Sequence, residues 1–128
     1  MKIAVLITRS LLGLVFFGFG LAYFLHLLPT TVPPGPAGEF DKGLFASGYF
    51  FTFLKATETI CGLFLLINKY TAFFLIIIFP VTLNIFLFHA FLEPSGLVIA
   101  GPLLLINLFL GYAYRKYYTG IFTTSPVV

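Results

Sequence analysis

In the stretch Lys55-Ala-Thr-Glu58-Thr-Ile-Cys61-Gly62-Leu-Phe-Leu-Leu-Ile-Asn68, a lysine and a glutamate lie one helical turn apart within a sequence suited to crossing a membrane. A charged side chain at that depth is costly, so it normally faces protein and has a partner. The rest of the chain is therefore expected to supply partners for Glu58. Arginine is the natural counter-ion, because it keeps its charge and its two-pronged head matches a carboxylate.

The composition is that of an integral membrane protein. Of 128 residues, 60% are hydrophobic and 9% are charged, whereas soluble domains carry about 25% charged residues. The length suits one compact domain, residues 1–128, with no second water-soluble core. The net charge of +3 is small and scattered, which leaves no footprint for nucleic acid. The single cysteine, Cys61, excludes an internal disulfide and a self-contained dithiol relay.

The hydrophobic runs predict an all-α, four-helix membrane bundle. Four runs are long enough to span a bilayer, at about residues 3–28, 48–67, 71–92 and 97–117. A signal peptide is the alternative for the first run, but the run is too long and carries Arg9. The short connection Asn68-Lys69-Tyr70 makes the second and third spans antiparallel neighbours. Pro80 removes a backbone hydrogen bond and is expected to kink the third span.

A segment rich in proline and glycine separates the first two spans. Residues 29–47 contain four prolines, and this density predicts extended or turn structure instead of a continuous helix. At this length the segment is either a tether across the mouth of the bundle or a functional lid or partner contact.

The distribution of charge predicts the orientation in the membrane. Four spans bring both termini to one side. That side carries Lys2, Lys69, Arg115 and Lys116, whereas the other carries Lys42 with Glu39, Asp41 and Glu93. The excess of positive charge places both termini in the cytoplasm, and residues 29–47 form an extracytoplasmic loop.

Helix geometry predicts a buried polar layer. At 1.5 Å per residue, Arg9 lies about 10 Å from the cytoplasmic helix ends, Glu58 about 15 Å and Asn107 about 14 Å. Lys55 and Asn84 lie at about 20 Å, one turn further out. We therefore predict a close Arg9–Glu58 pair within a two-layer network. Such a network either fixes helix packing or takes part in ligand or proton handling.

The remaining candidate residues suggest no metal centre. His26 and His89 lie near the outer ends of their spans, where a lone histidine is usually an interfacial polar residue. No His, Cys, Asp and Glu cluster has metal-site spacing. Cys61 is surrounded by apolar residues, so we expect it to pack as a small inert side chain.

Each span carries a polar motif of its own. These are Arg9 with Leu11-Leu12-Gly13-Leu14 and Phe17-Gly18-Phe19-Gly20-Leu21; Lys55-Ala-Thr-Glu58-Thr-Ile-Cys-Gly62; Pro80-Val-Thr-Leu-Asn84-Ile-Phe-Leu-Phe-His89; and Asn107-Leu-Phe-Leu-Gly-Tyr112-Ala-Tyr114-Arg115. With these motifs the chain resembles the DoxX-like small membrane proteins almost from end to end. The resemblance implies a four-helix inner-membrane bundle. It also implies links to quinone oxidoreductases, to thiol and oxidative-stress handling, or to receptor assembly.

Three functions compete at this stage. The first is a redox-linked subunit of a membrane complex, in which a phenylalanine-rich crevice beside Arg9, Glu58 and Asn84 holds a quinone or another lipophilic ligand. The second is a non-enzymatic assembly subunit that packs against a larger membrane protein or a second copy. A transporter is the third, and it would require a dimer because four helices form only half of a usual pathway. Membrane lipid is the expected surrounding in all three.

Overall fold

The computed structural model describes residues 1–128 as five α-helices with no strand. The helices are α1 (Lys2–Phe24), α2 (Gly35–Ala46), α3 (Phe50–Ile67), α4 (Thr71–Phe91) and α5 (Leu97–Ala113), with short 3-10 helices at Pro94–Gly96 and Arg115–Tyr117. Four of the helical segments are long and apolar enough to cross a membrane: Lys2–Phe24, Phe50–Ile67, Thr71–Phe91 and Pro94–Ala113. The predicted helical membrane bundle is therefore confirmed.

The spans follow one another around a ring, in which α1 contacts α3, α3 contacts α4, α4 contacts α5, and α5 returns to α1. The connection between α3 and α4 is the predicted Asn68–Tyr70 turn, in which Asn68 and Tyr70 take left-handed backbone conformations with φ of 55° and 52°. Such a short turn reverses the chain at once, so α3 and α4 run antiparallel. The four spans thus bring both termini to the same end of the bundle.

Backbone contact between α1 and α3 makes this the closest interface of the fold. A methyl group added at Gly13 would lie 2.9 Å from the carbonyl oxygen of Gly62, and one added at Gly62 would lie 2.7 Å from that of Gly13. Gly20 packs in the same way against the backbone of Lys55 and Thr59. In lipid, where no hydrophobic effect pushes helices together, small residues allow this approach and its dispersion energy.

The interior is small and the outer surface is apolar. Only 19 of 128 residues are buried, and the core residues include Leu12, Phe16, Leu65 and Leu110. Many exposed residues are large hydrophobic side chains that lie along the spans, for example Leu105 on α5. A soluble monomer rarely exposes a continuous apolar surface of this extent, whereas a lipid-facing bundle does so by necessity. The chain is a multi-pass membrane protein.

The segment 29–47 differs from its prediction, because it contains the 12-residue helix α2. Its prolines are placed where a helix tolerates them, since Pro34 is the N-cap and Pro36 lies in the first turn. The body of the helix, from Ala37 to Ala46, contains no proline. Counting proline over the whole segment hid this arrangement.

Aromatic contacts hold α2 against the bundle. The ring of Phe40 lies 5.4 Å from that of Phe88 on α4, and Phe45 stacks on Phe51 of α3 at 4.3 Å between ring centroids. Ala37 is also buried. This segment is therefore a folded cover over one end of the bundle and not an extended tether.

Two span boundaries also differ from the sequence estimate. The helix α1 ends at Phe24 instead of residue 28, because His26 adopts a left-handed backbone with φ of 58°. The helix α5 ends at Ala113, and the chain then tightens into the 3-10 helix Arg115–Tyr117. Apolar residues continue past the end of α1, and tyrosines flank Arg115 and Lys116 past the end of α5, so composition alone predicts both ends too far along the chain.

Candidate functional site

The Lys55–Glu58 pair is the buried ion pair of the bundle. Lys55 Nζ lies 2.9 Å from Glu58 Oε2, and the exposed fractions of the two side chains are 14% and 4%. The ammonium group also lies 5.4 Å from the ring centroid of Phe51, one turn earlier on α3. A lysine and a glutamate three positions apart face each other on a helix, so α3 neutralises its own buried carboxylate.

Arg9 does not pair with Glu58, and that prediction is wrong. Its Nη1 donates hydrogen bonds to the carbonyl oxygen of Leu65 and, at 3.2 Å, to that of Leu66. The reason is the direction of side chains on a helix, which lean toward the N-terminus. Because α1 and α3 are antiparallel, Arg9 leans toward the Lys2 end of the bundle and Glu58 leans toward the opposite end.

Arg9 instead completes the C-terminus of α3. The last four carbonyl groups of a helix have no intrahelical partner, and Leu65 and Leu66 are among them. A cation at this end also interacts favourably with the helix dipole. Arg9 is 7% exposed and is held between two packed helices. Its contacts describe a cross-helix cap that fixes the position of α3 along α1.

The two asparagines occupy different environments. Asn84 is exposed on the surface of α4, so its predicted place in a buried layer is wrong. Asn107 is 3% exposed, and its Oδ1 atom is buried without any hydrogen-bond partner. The five residues of the predicted network therefore separate into one ion pair, one helix cap, one exposed amide and one buried unpaired amide.

A pocket of about 760 Å³ opens between α4 and α5 beside Asn107. Its walls combine apolar side chains with the amide of Asn107 and, near the chain terminus, Arg115. The lining residues are Leu75, Ile76, Phe79, Pro80, Asn107, Leu108, Gly111, Arg115, Tyr118, Thr119 and Phe122. Of the five predicted polar residues, Asn107 is the one that lines this pocket.

Sequence reasoning missed this pocket. Pro80 and Gly111 both occur in the motifs of their spans, but the space that they leave depends on how α4 and α5 pack. Gly111 and Pro80 carry no bulky side chain. A methyl group added at Gly111 would meet nothing within 4 Å. That combination, a kinking proline on one helix and a glycine on its neighbour, is the signal that could have located it.

Tyr118 closes the pocket at the end nearest the C-terminus. Its hydroxyl group donates a hydrogen bond to the carbonyl oxygen of Ala72 at 2.8 Å, which ties the segment after α5 to the start of α4. Burial, and secondarily the neighbouring Tyr114, raise the pKa of Tyr118 above its ordinary value of 10.0. The phenol therefore stays protonated at neutral pH and remains a hydrogen-bond donor.

A second pocket of about 620 Å³ lies under α2 at the other end of the bundle. Tyr23, His26, Lys42, Phe45 and Phe51 are among its lining residues. The Tyr23 hydroxyl lies 2.9 Å from Thr52 Oγ1, so it already has a hydrogen-bond partner within the protein. Lys42 is exposed and pairs with Glu39 at 3.6 Å. This pocket offers no buried, unpaired polar group.

The two histidines have different surroundings. His26 lines the pocket under α2, whereas His89 Nδ1 lies 3.1 Å from the carbonyl oxygen of Glu93 at the end of α4. No three His, Cys, Asp or Glu residues lie close enough together to hold a metal ion. Cys61 is 1% exposed and belongs to the hydrophobic core.

The comparisons with known proteins add no relative. No family model, no curated protein and no solved structure matches this chain.

Proposed function

We propose that this protein is a DoxX-like inner-membrane protein that binds a lipophilic molecule with a polar head, a quinone being the favoured class, as a redox-linked subunit of a membrane complex. The observation that carries the proposal is the unpaired amide of Asn107 on the wall of the pocket between α4 and α5. A buried polar group without a partner is costly, so a bound ligand that pairs with it gains affinity.

The chemistry of an amide fits a quinone in both of its redox states. The amide nitrogen of Asn107 can donate a hydrogen bond to a quinone carbonyl, and its Oδ1 can accept one from a quinol hydroxyl. No hydrogen bond within the protein competes for Oδ1. The same residue can therefore hold the ring before and after reduction.

The dimensions and the walls of the pocket also fit. Its volume of about 760 Å³ lies within the range of about 300–1,000 Å³ that is usual for ligand sites. Leu75, Phe79 and Leu108 supply apolar contact for a ring and the first part of a hydrocarbon tail. Arg115 lines the end of the same pocket, where its guanidinium group bonds to the carbonyl oxygen of Tyr112 and stacks on the Tyr112 ring.

The site differs from the crevice expected from the sequence. The walls of this pocket do not include Arg9, Glu58 or Asn84. Asn107 is the polar residue of the predicted layer that lines the pocket. In this proposal Arg9 and the Lys55–Glu58 pair hold the bundle together, while Asn107 contacts the ligand. The partner that would exchange electrons with the ligand is a larger membrane protein of the same complex.

The test is native mass spectrometry of protein extracted gently from its own membrane, with lipid extraction of the same sample. We expect a bound lipophilic molecule that is lost in Asn107→Leu and retained in the matched control Thr57→Val. Thr57 lies on α3 and bonds only to the carbonyl oxygen of Phe53 in its own helix. Circular dichroism of each variant shows that the bundle remains folded.

Two results would contradict the proposal. One is a wild-type protein that carries no lipophilic molecule and binds no added quinone. The other is equal occupancy in wild type and Asn107→Leu. A ligand-free protein that co-purifies with a larger membrane protein would favour the non-enzymatic assembly subunit instead.

A further inference from the structure

The side chain of Asn84 is an exposed amide within a membrane span. It lies on α4, about 10 Å from the helix end at Phe91 at 1.5 Å per residue. It makes no hydrogen bond within the chain, and the surrounding lipid tails offer none. The bundle therefore leaves the polar requirement of Asn84 to be met by something outside this chain.

Four threonines of the spans satisfy their hydroxyl groups within their own helices. Thr8, Thr57, Thr59 and Thr82 each donate a hydrogen bond to the carbonyl oxygen four residues earlier in the same helix. This one hydrogen bond satisfies the donor of a hydroxyl group in lipid. Asn84 has two amide hydrogens and an acceptor oxygen, and it uses none of them in this way.

The neighbours of Asn84 form an apolar stripe along α4. The exposed residues that share the face of α4 with Asn84 lie three, seven or eleven positions from it: Phe73, Ile77, Leu87 and Phe91. A stripe with a single amide in it resembles the helix interfaces of membrane proteins, where one asparagine bonds across to the next helix. The stripe thus has the composition of a contact surface and not only of a lipid-facing surface.

We infer that two copies of this chain associate along this stripe, with the two Asn84 amides hydrogen-bonded to each other across a two-fold axis. Copies inserted in the same orientation are related by an axis along the membrane normal, so each residue meets its counterpart at equal depth. An amide is both a hydrogen-bond donor and an acceptor, so two identical amides can bond to each other. A lone charged residue would repel its counterpart in this position, but Asn84 does not.

The inference is independent of the proposed ligand. It rests on the exposure of Asn84 and on the symmetry of two copies, whereas the ligand proposal rests on the buried amide of Asn107. If the ligand proposal fails, the dimer proposal still stands, because the dimer requires no ligand in the pocket.

The first experiment is cysteine crosslinking in native membranes, in a Cys61→Ser background. Leu87 lies one turn from Asn84 on the same stripe, so Leu87→Cys keeps the amide and reports the contact. We expect a disulfide-linked dimer from Leu87→Cys and none from the control Ile60→Cys, which is 50% exposed on α3. Crosslinking at both positions, or at neither, would overturn the inference.

The second experiment measures the strength of association by energy transfer between labelled copies in vesicles. A hydrogen bond between membrane helices typically changes association by about 3-fold to 20-fold, so Asn84→Leu should weaken dimerisation within that range. Asn84→Gln, which keeps the amide, should restore most of it. A protein that is monomeric at every dilution would refute the proposal. A dimer that is unaffected by Asn84→Leu would also refute it, and so would a Leu87→Cys variant that crosslinks only to a larger protein.

Discussion

Substitution of Gly62 by alanine tests the close packing of α1 and α3 most directly. An added methyl group at Gly62 would lie 2.7 Å from the carbonyl oxygen of Gly13 and closer still to the backbone nitrogen of Phe17. Both obstacles are backbone atoms of a regular helix, so no side-chain rotation can relieve the overlap. The two helices must move apart instead.

The expected magnitude follows from two opposing terms. An ordinary contact begins at 3.4 Å, so α1 and α3 must separate by about 0.7 Å to clear the Gly13 oxygen and by more to clear the Phe17 nitrogen. Overpacking of this kind costs about 3 kcal/mol at the upper end of its usual range, and alanine returns about 1 kcal/mol through its better helix propensity. We expect a net loss of about 2 kcal/mol, which is about 30-fold in the unfolding equilibrium.

The assay uses the chain's own cysteine. Cys61 is 1% exposed, so a maleimide labels it only when the bundle opens. Labelling is followed during titration of the micelle-bound protein with sodium dodecyl sulfate, and circular dichroism is recorded in parallel. The matched control is Gly18→Ala, since Gly18 faces open space and an added methyl group meets nothing within 4 Å.

The control should be neutral or slightly stabilising, because only the helix-propensity gain remains. The reasoning would be refuted if Gly62→Ala were as stable as Gly18→Ala, or if it left the labelling of Cys61 unchanged. Either result would mean that the backbone contact between the two helices is not maintained in the membrane.

Three further predictions concern charged groups. Arg9→Gln removes the charge from the cap on α3 and should destabilise the bundle by about 1.5–3 kcal/mol, measured by the same titration. Lys55→Met leaves Glu58 charged and unpaired, which should cost about 3–5 kcal/mol, while the double variant with Glu58→Gln should recover most of that loss; equal stabilities of the single and double variants would contradict the pairing. Burial, then repulsion by Glu93, raise the pKa of Asp41 above its ordinary value of 3.8, although His89 partly opposes the shift. The folded state therefore binds the proton more tightly than the unfolded state, so the docking of α2 should strengthen as pH falls from neutral toward 4. Hydrogen exchange of α2 should show this trend in the wild type and lose it in Asp41→Asn.

The number and the extent of the membrane spans were largely predictable from the sequence. Hydrophobic runs that match the bilayer thickness locate helices whatever they pack against, and the short Asn68–Tyr70 connection required α3 and α4 to be antiparallel. The same composition also predicted that Glu58 would be buried with a cation. The predicted cation, Arg9, was wrong, because the structure pairs Glu58 with Lys55 on the same helix.

The tertiary structure decided the partners. Depth along the membrane normal placed Arg9 and Glu58 at one level, but in antiparallel helices their side chains lean in opposite directions, so they separate. The pocket beside Asn107 exists only because α4 and α5 leave space there, and the exposure of Asn84 depends on how α4 is rotated within the ring of helices. Sequence alone determined which residues enter the membrane, because transfer from water to lipid acts on each segment by itself. Only packing determined what each polar residue meets, since that depends on the rotation and approach of neighbouring helices.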